Sequence, residues 1–279
     1  MSLDPSYPLI DIGVNLTHRQ FASDRPLVIE RARAAGVVQQ VVTGTSVASS
    51  KAALLLARDH AGELWATAGI HPHDASAYDV AALASLRALS LERGPRGEAL
   101  VVAVGECGLD YDRGFSPRDA QRRCFAALLA LAVQLQKPVF LHERAAHADF
   151  VAMLREHRAS LAGAVVHCFT GNLAELESYL ELGCHIGVTG YLLDDRRAGE
   201  LRRAIARVPL ERLMLETDAP FLLPPSARKS HGRRNEPALL PLVLEEVARV
   251  TGHERQAIAR ITTENARRFF GLGPTVAGP

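Results

Sequence analysis

The sequence predicts an α/β fold in which eight strands alternate with helices, and three observations predict it. Short runs rich in β-branched residues recur between longer stretches of helical period, as in parallel strands buried on both faces. Of 279 residues, 48% are hydrophobic but only 5% aromatic, so a large core must be filled by Val, Leu, Ile and Ala. Glycines fall where helices should stop just ahead of a strand, as at Gly36 and Gly183.

The strand candidates are residues 9–14, 37–43, 64–70, 100–105, 139–142, 164–167, 185–189 and 212–216. Helical period covers residues 26–35, 48–60, 80–91, 118–135, 146–155, 173–182, 198–205 and 237–250. Eight such units indicate a single TIM (β/α)8 barrel rather than an open sheet, and a closed barrel uses about 250 residues as one unit. A last helix, residues 254–270, is expected to pack outside it. No internal linker or low-complexity run interrupts the chain, so one domain is expected over residues 1–272, followed by a loose tail at 273–279.

Lys plus Arg number 32 against 31 Asp plus Glu, and the net charge of +1 gives no bulk attraction for a polyanion. Affinity for nucleic acid would have to come from a local patch. Cys107, Cys124, Cys168 and Cys184 form no CxxC pair, which excludes a zinc knuckle or dithiol centre and reads as reduced thiols of a cytoplasmic protein. The start MSLDPSYPL lacks a basic stretch leading into an apolar run, and no segment approaches the length of a membrane span. No membrane association is expected.

In a barrel the residues just past each strand converge on one face, where active sites are built. Here the third strand leads to Gly69-Ile70-His71-Pro72-His73 and the fourth to Gly105-Glu106-Cys107-Gly108-Leu109-Asp110. The fifth ends in His142, the sixth in His167, and the eighth leads to Glu216-Thr217-Asp218. A lone strand-end histidine is usually structural, but five strand ends of eight carrying His or carboxylate point to metal binding or catalysis. Imidazole and carboxylate without thiolate suit Mg²⁺, Mn²⁺ or Zn²⁺ alike. Strand alternation turns Cys107 and Cys168 away from Glu106 and His167, so both read as buried core thiols.

The motifs GIHPHD, VGECGLDYDR, VFLHER, HCFTG and LETDAP, followed by RRNEPALLP and NARRFFGL, resemble the TatD family of metal-dependent deoxyribonucleases from about Ile10 to Leu272. The opening DIGVNLT is similar to one branch of that family in particular. The resemblance implies a barrel of the amidohydrolase type and a 3′-to-5′ exonuclease acting on single-stranded DNA, or RNA, with Mg²⁺ as the divalent metal. A role in DNA repair would follow for the family. A monomer without an obligate protein partner is expected. Carried over residue by residue, Glu106, His142, His167 and Asp218 match metal ligands, with Asp218 also the general base. His71 matches a histidine at the metal or the scissile phosphate, while His73, Asn15 and Arg144 occupy substrate-facing positions.

The segment PPSARKSHGRRNEP follows the eighth strand and contains Arg228, Lys229, His231, Arg233 and Arg234. Two readings stand: a flap gripping phosphates, through Arg228 and Lys229 above all, or a solvated charged loop. Tyr78, Tyr111 and Phe115 are candidate base-stacking surfaces, with packing the favoured reading. The same ligand set could instead hydrolyse a small ester, lactone or amide, or an aminoacyl ester, since fold does not choose chemistry; the basic segment argues for a polyanion. A barrel that binds nucleic acid or a partner without turnover is a third reading.

The first strand departs from the family's pattern. Many related barrels end it in HxH, two imidazoles on one face because strand side chains repeat every second residue. Here those places hold Gly13 and Asn15, and His18 lies in the loop beyond. Gly13 offers no ligand and Asn15 a neutral one, so one firmly held ion is expected, with any second ion weak or brought by substrate.

Overall fold

The structure, a computed structural model, describes residues 7–273. Eight strands are hydrogen-bonded in chain order in one sheet: β1 (Leu9–Val14), β2 (Val37–Val42), β3 (Leu64–Ala68), β4 (Val101–Asp110), β5 (Val139–Arg144), β6 (Ala164–Val166), β7 (His185–Val188) and β8 (Leu213–Leu215). Between them come α1 (Arg25–Ala34), α2 (Val47–Asp59), α3 (Val80–Leu91), α4 (Arg118–Leu135), α5 (His147–His157), α6 (Leu173–Glu181) and α7 (Gly199–Ile205). A short α8 (Arg228–His231), then α9 (Leu240–Thr251) and α10 (Arg255–Phe270), complete the chain. Beyond β8 the chain returns to β1, Asn15 N donating to Ala219 O at 2.7 Å and Asp218 N to Gly13 O at 2.8 Å. The fold is the TIM (β/α)8 barrel that the strand and helix alternation predicts. No helix of the described residues is long and apolar enough to cross a membrane.

Helix boundaries follow local chemistry. Gly36 and Gly183 take φ of 85° and 66° at the ends of α1 and α6, as their positions before a strand require. At the start of α2, Ser46 Oγ accepts from Ser49 N and Ser49 Oγ from Ser46 N, a reciprocal cap for two orphan donors. The helix expected over 237–250 is divided, because the 3₁₀ turn Pro237–Leu239 precedes α9. The expected tail lies outside the described residues except for Gly273, whose carbonyl accepts from Gln39 Nε2 at 2.8 Å.

The chain forms two compact units, Met1–Val41 with Cys168–Glu177 and His185–Pro279, and Val42–His167 with Ser178–Cys184. In the first, α10 turns Ile258, Ala259, Thr262, Ala266 and Phe270 inward at helical spacing. The Asn of NARRFFGL explains itself there: Asn265 Nδ2 donates to the carbonyls of Leu210 and Leu213 at 2.7 and 2.9 Å, tying α10 to the base of β8. The same unit contains an ion-pair cluster. Arg234 donates to both Asp24 carboxylate oxygens at 2.8 Å and to Glu236 Oε1 at 2.6 Å, while Arg31 Nε donates to Glu236 Oε2 at 2.8 Å. Arg234, which the sequence offers as one cation of a basic flap, is therefore a tether between the segment after β8 and the start of α1.

This cluster has a definite pH signature. Hydrogen bonds from Arg234 lower Asp24 to about 2 from its ordinary 3.8. Burial opposes ionisation of Glu236, but Arg31 and Arg234 hold it below its ordinary value. Carboxyls depressed in the folded state stabilise above their unfolded pKa and lose that contribution as pH falls through the folded one. Arg234→Ala should cost about 1–3 kcal/mol at neutral pH, the range for breaking one partner of a half-buried charged network. In thermal melts the gap between variant and wild type should close between about pH 4.5 and about pH 2. A gap independent of pH would show that packing, not charge, carries the effect.

In the second unit β4 determines what can be built. The sequence predicts its end at Gly105, but it runs to Asp110, with all ten residues buried. Residues 106–110 lie past the expected strand end, yet the glycines of VGECGLD are what let β4 lie against β5. A Cβ on Gly105 would sit 2.2 Å from Phe140 O, and one on Gly108 only 1.8 Å from His142 O. A bulge between Val104 and Cys107 carries Glu106, and the register then pairs Gly108 with His142 and Asp110 with Arg144. Close backbone approach thus brings a carboxylate of one strand beside an imidazole of the next.

Candidate active site

Within that second unit three imidazoles converge on one carboxylate oxygen. Glu106 Oε1 accepts from His167 Nε2 at 2.8 Å and His142 Nδ1 at 2.9 Å, and His71 Nε2 lies 3.2 Å from it. His71, Glu106 and His142 each offer a ligand atom within 4.8 Å of the others. Each member sits at or just past a strand end. His71 follows β3 and caps the 3₁₀ turn Pro72–Ala77, His142 belongs to β5, and His167 immediately follows β6, where its N–H donates to Leu141 O at 2.9 Å. The sequence-predicted histidines and Glu106 are therefore gathered in one place.

Two features are those of a candidate cation site. A single carboxylate oxygen facing three ring nitrogens marks a point toward which a positive charge is favoured. His142 Nε2 is buried without a hydrogen-bond partner among the described residues, 3.4 Å from Asp110 Oδ2. Such an orphaned donor or acceptor is costly unless a ligand completes it. The donor set of imidazole and carboxylate fits Mg²⁺, Mn²⁺ or Zn²⁺.

The electrostatics agree. Burial opposes ionisation of Glu106, but His167, His71 and His142 outweigh it and hold its carboxyl well below the usual carboxylate range. Burial lowers His71, against the pull of Glu106. Burial would also lower His142, but the carboxylates of Asp110 and Glu106 raise it. His71 is further constrained by its other nitrogen: Nδ1 accepts from His73 N at 3.1 Å, so the ring proton belongs on Nε2. His71 thereby presents a donor into the site, whereas a metal ligand would need that lone pair.

Asp110 joins the cluster although sequence reasoning gives it no role. It is 2% exposed, accepts from His73 Nε2 at 2.7 Å, and from the backbone of Asp112 and Arg113 at 3.0 Å. The available signal is its parity with Glu106 on one strand, hidden when the strand is taken to end at Gly105. Arg144, expected to face substrate, lies at an exposed strand end and donates to Asp112 Oδ2 at 2.9 Å. Tyr111 is held by packing and a hydrogen bond of 2.7 Å to Asp149 Oδ2, with the Arg118 guanidinium 4.4 Å from its ring centre. Cys107 is a buried thiol, as expected, donating to Phe140 O; Cys168 departs from that reading, being half-buried at φ 46°, where strand alternation no longer applies.

The first unit holds Asp218 and its supports. Asp218 has φ 53° and is half-buried, and Asn15 Nδ2 donates to its Oδ1 at 3.0 Å. The neighbouring Thr217 donates through its N–H to Asp11 Oδ1 at 2.9 Å and its hydroxyl bonds Asp11 Oδ2, while its carbonyl accepts from Asn235 Nδ2 at 3.0 Å. Burial pushes Asp11 up to about 8, against those hydrogen bonds. The motif residues Asp11 of DIGVNLT and Asn235 of RRNEP, neither assigned a role from sequence, thus brace the turn that carries Asp218. Arg228 and Lys229 lie exposed on α8 and make no side-chain ion pair among the described residues.

Imidazoles and carboxylates collected at the carboxyl ends of barrel strands define a hydrolase of the (β/α)8 class. Within that class the chain belongs to the TatD-related DNases, nucleases acting on phosphodiester bonds, whose family model matches residues 10–271. The 3′-5′ ssDNA/RNA exonuclease TatD of Erwinia amylovora is 49% identical over 265 residues, 95% of this chain and 100% of that protein. The protein of the same name from Edwardsiella piscicida is 48% identical over 265 residues, again covering 95% and 100%. Among solved structures, YJJV, a TatD homolog from Escherichia coli K12, matches with a TM-score of 0.85 at 30% identity, covering 95% of this chain and 98% of that one.

Proposed function

We propose that this protein is a divalent-metal-dependent 3′-to-5′ exonuclease of single-stranded DNA and RNA, working with Mg²⁺. The observation that carries the reading is the convergence of His71, His142 and His167 on Glu106 Oε1, which supports a cation site at that point. Polarity and substrate come from relatives of 46 to 49% identity that bear that name.

Glu106, His142 and His167 would hold the ion and Asp218 would complete its ligands. The ion, when bound, supplies Lewis acidity toward a phosphoryl oxygen and eases loss of a proton from water. Asp218 accepts that proton as general base, its carboxylate held in orientation by the Asn15 amide. His71, its Nε2–H fixed by the contact at Nδ1, donates to the phosphoryl oxygen that gains charge in the transition state. His73 stays oriented by Asp110 and faces the departing nucleotide. With Asn15 committed to Asp218, one firm ion is the expected complement. Arg228 and Lys229 contact backbone phosphates.

The test is a pair of assays on purified, chelator-stripped protein. Added Mg²⁺ should restore stepwise shortening of a 5′-labelled single strand, leaving a duplex and a panel of aryl esters and lactones intact. Hydrolysis of the esters with intact oligonucleotides would favour the small-substrate reading. Replacing Arg228 and Lys229 with Ala should flatten the logarithmic salt dependence of single-strand binding by about 1.4 units, about 0.7 for each phosphate that is no longer neutralised.

A further inference from the structure

Among the described residues the large apolar side chains that remain exposed fall into two groups. Leu27, Leu55, Val80, Leu91 and Leu173 lie singly on helices, as surface aliphatic residues commonly do. Phe115 and Phe221 lie in loops, and Phe115, at 68% exposure, is the more open of the two. Packing is the reading its sequence context favours, and the structure corrects it. The ring stands edge-on to His73 with centroids 4.7 Å apart, and His73 in turn stands 4.2 Å from His71. An uncovered phenyl ring therefore lies on the rim of the imidazole cluster.

The turn that carries it is built firmly. Ser116, 2% exposed, donates to His73 O at 2.8 Å and accepts from Ser76 N at 3.0 Å. The buried Gln121 donates to both Ser116 O and Asp110 O, and on the other side Asp110 Oδ1 accepts from Asp112 N and Arg113 N. Gly114 takes φ 63°, so the chain reverses just before the ring. A phenyl ring held on both flanks by hydrogen bonds yet left in water is preorganised for a planar apolar partner.

We propose that Phe115 is a stacking platform for a nucleobase next to the scissile phosphate of the bound strand, with His73 as its supporting edge. Stacking is tolerant of base identity, because every base offers a π-face, and it suits a nuclease that must accept each nucleotide in turn. The inference rests on the nuclease reading above. It distinguishes a base-bearing end from one stripped of its bases, which phosphate contacts alone would not.

Two single strands serve as probes, identical except that one has abasic residues at its last two positions. Wild-type protein should prefer the base-bearing strand by about tenfold in kcat/KM, within the range of base–aromatic stacking. Phe115→Ala should lose that preference, and Phe115→Trp should keep it. The same preference in Phe115→Ala as in wild type, including an equal fall on both strands, would overturn the proposal. If wild-type protein cuts neither strand with any divalent metal, the nuclease reading fails instead, and the two failures are thereby distinguished.

Discussion

Glu106→Ala protein will fold, bind no stoichiometric Mn²⁺, and degrade single-stranded DNA at least about a thousandfold more slowly than wild type, a loss of about 4 kcal/mol of transition-state stabilisation. One oxygen of this side chain is the common neighbour of His71, His142 and His167, so its removal dissolves the focus at which a cation would be held. The fold survives because the rest of the cluster can adjust. Without Glu106 the burial that lowers His71 is no longer opposed, so that ring stays neutral, a neutral ring costs far less to bury than a charge, and Asp110 still faces His142. The backbone that shapes the place is independent of the carboxylate: Gly105 and Gly108 keep β4 against β5 with or without it. Titration calorimetry with Mn²⁺, a thermal melt and a labelled-strand assay on the same preparation read the three parts separately. Wild-type affinity for Mn²⁺ in the variant would remove Glu106 from the site.

Asp218→Asn should likewise remain folded and lose about a thousandfold or more in kcat, the range expected when both a ligand charge and a general base are removed. Asn is the informative replacement because Asp218 adopts φ 53°, a left-handed conformation that Asn adopts more readily than Ala. The substitution removes charge without adding backbone strain. Its neighbour gives a second test of the same arrangement. Asn15→Asp would set a carboxylate where the amide now donates at 3.0 Å to Asp218 Oδ1. If Asn15 orients Asp218, this variant should be slower than Asn15→Ala; if its oxygen were a metal ligand, the added charge should make it the faster of the two. Steady-state kcat for the pair decides between them.

Much of the fold is legible because periodicity reports burial directly. The strand 9–14 and the helices 80–91 and 118–135 have the same bounds in sequence and structure. Differences concentrate where the backbone is unusual. The sequence-predicted strand ends at Gly105, whereas β4 runs on to Asp110, where Gly105 and Gly108 permit an approach that no side chain would allow. That one difference conceals Asp110, which shares a strand face with Glu106. The gathering of His71, Glu106, His142 and His167 is readable from strand ends, since barrel geometry supplies the convergence. Hydrogen-bond direction is not readable. Nothing in LETDAP or DIGVNLT says that Asn15 turns its nitrogen to Asp218, that His71 accepts at Nδ1, or that Arg234 faces Asp24 and Glu236. Exposure of Phe115 is equally invisible, because composition cannot tell a ring in a core from one on a rim.

Asn15 and Asp218 are 203 positions apart, and Asp11 and Thr217 are 206 apart. A ribosome making about 5–20 residues per second releases the first strand about ten seconds or more before the residues it must meet exist. Such distant partners close late, since the entropy of joining remote segments must be met before their contacts form. A chain abandoned before residue 218 therefore lacks the carboxylate assigned to proton transfer, even if its histidines are already made. For a protein whose activity would destroy nucleic acid, chain order itself delays competence until synthesis is nearly finished.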